Sequence, residues 1–211
     1  MSYKKLFAFT LAEILLTMTI VGAIATMTIP TLVSKRIQTE RSAKLKKFYS
    51  RMSNAVDQMV MDGKSFKYMS SQSSSLEYMN WYIKDLDRYM EHKFIDNSSQ
   101  RTVYFVDESS MEFRGLAGTG NACANVVYDT NGKKNPNKLG ADQYSFYFCF
   151  NDNMRTRWLC SADTFFGAPE NNCNSTSVDY LGLCRTPGKE IYCTRYLQIN
   201  NWDYPPEYPY K

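Results

Sequence analysis

Histidine is almost missing from this chain: His92 is the only one in 211 residues. That rules out a metal centre built on several imidazoles and leaves little room for a Ser/His/Asp or Cys/His nucleophile system. No activated nucleophile, paired acids or phosphate-cradling glycine loop takes their place. Asp107-Glu108 reads as part of a turn, so no catalytic residue is assigned and the chain is not expected to be an enzyme. None of the six cysteines stands at C-x-x-C spacing from another, which removes the usual support for a zinc ribbon or a thioredoxin-like centre. Charge of one sign is also scarce: 25 Lys+Arg against 21 Asp+Glu leave +4, too mild to mark a nucleic-acid binder. With 44% hydrophobic and 22% charged residues, the composition excludes disorder throughout and fits a globular domain with an appendage.

The appendage is N-terminal. Leu6 to Val33 carries one charged residue, Glu13, and Ile14 to Val33 carries none. A helix needs about 20 apolar residues to cross a hydrocarbon core, so this stretch is long enough to span a bilayer. A cleaved secretory signal is disfavoured, because the run exceeds the usual h-region of about 7 to 15 residues and no small-x-small site closes it before Ser34-Lys35-Arg36. Beyond Val33 the apolar pattern continues through Ile37, Leu45, Phe48, Met52, Ala55 or Val56, and Met59, with steps of three or four from Leu45 onward. No Pro or Gly falls between Thr31 and Asp62, and Gly63 is a natural stop. One helix from about Phe9 to Asp62 is expected, its second half packed on a head domain. Its basic residues Lys35, Arg36, Arg41, Lys44, Lys46, Lys47 and Arg51 read as a solvated or filament-lining face, since aromatics are not interleaved over most of the stretch.

Glu13 is the anomaly in the span, because an acid inside an apolar helix costs about 3 kcal/mol on insertion scales. Lys4-Lys5-Leu6-Phe7-Ala8-Phe9-Thr10-Leu11-Ala12-Glu13 resembles the leader and processing site of type IV pilins and type II secretion pseudopilins. The resemblance implies cytoplasmic cleavage by a prepilin peptidase between Ala8 and Phe9, where the family usually has Gly before the cut, and N-methylation of Phe9. Counted from Phe9, Glu13 is fifth, Gly22 fourteenth and Pro30 twenty-second, as in the family pattern. It implies assembly roles for Glu13, whose carboxylate would pair with the terminal amine of a neighbouring subunit, and for Pro30, near which the helix loosens in filaments. The implied partners are other pilin or pseudopilin subunits, prepilin peptidase, the assembly platform with its ATPase, and inner-membrane lipid. The implied location is the bacterial inner membrane with the head in the periplasm, then a cell-surface filament. Counting positive charge alone would instead place the C-terminal part inside, and the leader and the cysteines are the grounds for overruling it.

The expected organisation is a leader at 1–8, a transmembrane and polymerisation helix at 9–33, an amphipathic continuation at 34–62 and a pilin-like head at 63–211. Within the head, Ser74 and Glu77 have capping-box spacing before a second helix of roughly residues 75–92, with Leu76, Met79, Ile83, Leu86 and Met90 on its apolar face. Strand patterns follow at Thr102–Val106, Met111–Arg114, Asn125–Asp129 and Gln143–Phe150, giving an α+β fold with an antiparallel sheet. Between the last two lies a segment running from Asp129 to Asp142. Asp129, Asn131 and Asp142 could offer oxygens to calcium, but Gly140 stands where an EF-hand needs its bidentate Glu, and Lys133 and Lys134 oppose a dication. A structural turn is favoured and no cofactor is assigned.

Cys123, Cys149, Cys160, Cys173, Cys184 and Cys193 form an even set beyond the span, which favours disulfides in an oxidising compartment. Their connectivity stays open, with local closure among the last four as one way to staple a loop-rich region. The segments 129–142 and 192–204 also resemble a bacterial subgroup of prepilin-type proteins. Arg195, Leu197 and Ile199 do not decide helix against strand, and Pro205-Pro206-Glu207-Tyr208-Pro209-Tyr210 is expected to be an extended, frayed tail. The preferred function is thus a pilus or pseudopilus subunit, and the alternative is a membrane-anchored extracytoplasmic binding module that does not polymerise.

Overall fold

A run free of glycine and proline, with apolar residues every three or four positions, gives the long helix its second half. Helix α1 spans Leu11–Met61, with Pro30 inside it. The computed structural model describes residues 9–65, 74–96, 98, 101–117, 123–149, 164–167 and 178–210. The chain divides into two compact units, Met1–Glu40 and Arg41–Lys211.

In the second unit α1 buries Leu45, Phe48, Met52, Ala55, Val56 and Met59, the stripe expected from the spacing. The sheet beside it is a six-stranded antiparallel meander in the order β1-β2-β3-β4-β5-β6. Its strands are Phe94–Asp96, Thr102–Tyr104, Ser110–Ala117, Cys123–Asp129, Gln143–Cys149 and Thr164–Gly167. Alternation sends Val103, Met111, Phe113, Val126, Tyr128, Tyr144, Phe146, Phe148 and Phe165 into the core. Phe48 sits at the centre of the joint: its ring stacks on Tyr128 at 3.9 Å and meets Phe105, Phe146 and Phe165 edge-on at 5.4–5.9 Å. The opposite face carries the row Tyr104, Ser110, Asp129, Gln143 beside the row Thr102, Glu112, Val127, Ser145. The α+β class and the four expected strands are therefore present. Strands β1 and β6 escaped the sequence reading, because β1 has three residues with its Phe94 half exposed and β6 has four.

The second helix differs from expectation. Ser74 caps it through a capping box with Glu77, but α-helical winding (α2) covers only Ser75–Trp81. A π turn over Tyr82–Leu86 and a 3-10 turn over Asp87–Tyr89 follow. Of the expected face Met79, Leu86 and Met90 are buried, as are Tyr78 and Tyr82, while Leu76 and Ile83 are 39% and 38% exposed. The Tyr82 ring meets Phe113 at 5.4 Å. His92 lies just beyond this element, with its Nδ1 2.9 Å from Asp87.

The C-terminus also corrects the expectation of a frayed tail. Helices α3 (Tyr180–Arg185) and α4 (Cys193–Ile199) lead into a segment that folds back on its own domain. Tyr208 is buried and donates its hydroxyl to the Gly140 carbonyl at 2.6 Å. Its ring packs on Tyr196 and Tyr204, and Trp202 reaches Tyr49 and Phe146 at 5.0 and 5.8 Å. A Cβ on Gly140 would lie 2.5 Å from the Tyr210 ring and 3.0 Å from Cys193 Sγ, so that close approach requires glycine. Tyrosine, whose rings pack while their hydroxyls find carbonyls, overrides the extended preference of Pro-Pro.

Replacing Phe48 removes four ring contacts and leaves a cavity at the helix–sheet joint. Phe48→Ala should destabilise the Arg41–Lys211 unit by about 3 to 5 kcal/mol, whereas Ile37→Ala, at a half-exposed site, should stay within about 0.5 kcal/mol. Denaturant melts followed by tyrosine and tryptophan fluorescence distinguish the two, and equal effects would contradict this packing.

Candidate functional site

The first unit holds the residues singled out in the span. Its helix is apolar all round, and a helix of that composition belongs in a core or in a membrane. Here Leu11, Leu15, Leu16, Met18, Val21, Ile24, Met27 and Leu32 are each more than half exposed. The helix is long and apolar enough to cross a membrane, and none of its most apolar 18-residue window is buried. Its threonines suit hydrocarbon: Thr17, Thr19, Thr26 and Thr28 donate their hydroxyls to the Ile14, Leu15, Ala23 and Ile24 carbonyls at 2.8–3.0 Å. A hydroxyl satisfied within its own helix avoids the cost of an unpaired polar group away from water. Pro30 lacks an N–H, so the Thr26 carbonyl receives no backbone bond from it, yet helical winding runs on.

Glu13 is already partnered within its own chain. Its Oε2 accepts from the Thr10 N–H at 2.8 Å and from the Thr10 hydroxyl at 2.9 Å, while the Glu13 N–H donates to Thr10 Oγ1 at 3.2 Å. Thr10 and Glu13 thus form a reciprocal capping box at the start of α1. The spacing Thr10-x-x-Glu13 was legible in the sequence and is a structural role for Glu13 that the charge argument passed over. A carboxylate has room for about four acceptor contacts, so the box leaves capacity on Oε1. Phe9 is 81% exposed, and Ala8 lies outside the described residues.

Beyond the span the basic stripe serves the head. Lys44 donates to the Thr130 carbonyl at 2.9 Å, and Lys46, Lys47 and Arg51 lie 3.5–4.0 Å from Asp203, Asp107 and Glu91.

Of the cysteines, Cys184 and Cys193 form a disulfide that ties α3 to α4. Cys123 is also disulfide-bonded, and its backbone stands opposite Cys149 across β4 and β5. The Cys149 side chain, Cys160 and Cys173 lie outside the described residues. The loop-rich C-terminal region is thus stapled in part as the sequence suggested.

The 129–142 segment closes on its own carboxylates. Asp142 accepts from the Asn131 amide at 3.1 Å and from the Asn137 and Lys138 N–H groups at 3.0 and 2.7 Å. Asp129 accepts from the Asn131 N–H at 3.0 Å and from the Gln143 amide at 3.1 Å. Both acids are buried and spend their lone pairs on the loop, which accounts for the Asp and Asn positions without a cation. Among the described residues no group of three or more His, Cys, Asp or Glu is placed to hold a metal ion.

The profile of a family of unknown function (DUF6613) matches residues 31–211, most of the chain. The chain belongs to this family. No curated protein and no solved structure matches it. The family match takes in Arg41–Lys211 entire, the unit with the sheet and both stapled helices, while Phe9 and Glu13 precede it.

Burial pushes the Asp129 carboxyl up to about 6, against the pull of the N–H groups that bond it. An acid with a raised folded pKa holds its proton more tightly folded than unfolded. Its contribution to stability is therefore complete below about pH 4 and is lost as pH rises through about 6. The unfolding free energy should decline across that window, and Asp129→Asn should flatten that part of the decline. Denaturant titrations at a series of pH values check this, and identical slopes for both proteins would contradict the assignment.

Proposed function

We propose that the chain is a structural subunit of a type IV pilus or type II secretion pseudopilus, cut before Phe9 by a prepilin peptidase and assembled through its N-terminal helix. The observation that carries the reading is an uncovered helix, apolar all round, whose one acid is the fifth residue counted from Phe9. Such a surface needs lipid or packed copies of itself to cover it, and the proposed subunit uses both in turn. The Arg41–Lys211 unit supports the reading with an α+β layout, in which α1 packs on an antiparallel sheet and a disulfide staples the C-terminal region.

In this reading Glu13 works twice. Oε2 caps the helix through Thr10, and the remaining capacity meets the terminal amine of Phe9 from a neighbouring subunit, where neither charge would tolerate hydrocarbon alone. One observation favours the second reading, an anchored module that never polymerises: the capping box by itself gives Glu13 a reason to be there.

Two substitutions separate these readings. Glu13→Gln retains a side-chain carbonyl for the Thr10 N–H but removes the charge, whereas Glu13→Ala removes both. If the charge drives assembly, both variants should enter the membrane normally and lose sheared surface filaments by more than roughly tenfold. Wild-type filament yield from Glu13→Gln would contradict the pairing role and leave capping as the function of this carboxylate.

A further inference from the structure

Of the basic residues on α1 beyond the span, Lys44, Lys46, Lys47 and Arg51 are matched by groups of the head, as described above. Lys35 and Arg36 are different. Both are exposed, and neither side chain has a hydrogen-bond or ion-pair partner among the described residues. The first acid after the span is Glu40, and neither cation pairs with it. The polar side chains beside them are occupied: Gln38 donates to Ser34 Oγ at 3.4 Å, and the Thr39 hydroxyl to the Lys35 carbonyl at 2.9 Å.

Position along the helix decides what the two cations can meet. Leu32 and Val33, 64% and 50% exposed, close the apolar run, and the cations follow after Ser34. An α-helix rises about 1.5 Å per residue, so Glu13 to Lys35 covers about 33 Å, against about 30 Å for a hydrocarbon core. With Lys35 and Arg36 at one polar boundary of a bilayer, Glu13 and its Thr10 cap therefore reach the other. Helical side chains lean toward the N-terminus, which from these positions is toward the bilayer, and long cationic side chains keep their charged ends at the level of the phosphates. Consecutive residues stand about 100° apart around the axis, so the two cations address different lipids.

We propose that Lys35 and Arg36 form a docking surface for anionic phospholipid headgroups in the leaflet that borders residues 34–36. The proposal rests on the helix entering a membrane, which both readings above share, and it holds whether or not the subunits polymerise. Recognition is by charge. Each cation near the surface favours an anionic lipid by roughly fivefold. The effect falls off within a Debye length, about 10 Å at 0.1 M salt and about 3 Å at 1 M.

The test uses the full chain reconstituted in bilayers of equal parts phosphatidylglycerol and phosphatidylcholine. Spin-labelled lipid of each kind, in separate samples, reports by electron paramagnetic resonance the fraction held at the protein. At low salt the wild type should hold phosphatidylglycerol over phosphatidylcholine by at least roughly twofold, averaged over all lipids around the helix, and should lose most of that preference near 1 M salt. The double variant Lys35→Gln, Arg36→Gln should lose most of the preference, whereas Lys35→Arg, Arg36→Lys should keep it. Lys46→Gln, whose cation is already matched by Asp203, should behave as the wild type. Lys4 and Lys5 are common to every arm, so they do not enter the comparison. Equal association of the two lipids with the wild type, a preference unchanged by the double glutamine substitution, or one lost equally in Lys46→Gln would each overturn the proposal alone. A chain that enters neither bilayer would overturn it together with the membrane reading.

Discussion

The apolar stripe of α1 from Leu45 to Met59 is the constraint on which the head depends. A meander with one polar and one apolar face cannot remain folded until that apolar face is covered, and in this unit α1 lies over it with Phe48 stacked on Tyr128. The C-terminal tyrosines complete the cover. Once α1 is seated, Trp202 packs on Tyr49, and Tyr208 reaches Gly140, so the last residues of the chain close a core begun by the first buried turn of the helix.

The same helix changes character along its length. Toward Met61 it is apolar on one face and buried by its own domain, while toward Leu11 it is apolar on every face and uncovered. A chain that keeps an uncovered apolar helix needs an environment to receive it. Thr17, Thr19, Thr26 and Thr28 turn their hydroxyls back onto the helix, and Thr10 and Glu13 cap its start, so most polar side chains of this segment are paired within it.

Legibility in the sequence tracked how far each signal was local. The α1 stripe, the Ser74–Glu77 capping box and four strands were readable because period and capping spacing are short-range properties. The π turn at Tyr82–Leu86 was not, and the expected apolar face held at Met79, Leu86 and Met90 but left out the buried Tyr78 and Tyr82 and took in the partly exposed Leu76 and Ile83. Strand β1 was too short to show alternation, and the folded tail depends on partners some 60 residues away, as Tyr204 does on Tyr144. Of the candidate site, Glu13 was found through its charge but its capping role was missed although Thr10 stood at the right spacing.

The central claim is that the uncovered helix begins at Phe9 in the mature protein and is built to polymerise. Intact mass and N-terminal analysis of protein from native membranes or a sheared surface fraction tests it most directly. The account predicts a chain that starts at N-methylated Phe9. A chain that still starts at Met1 or Ser2, in cells with an active prepilin peptidase, would contradict it and leave the helix as an anchor alone.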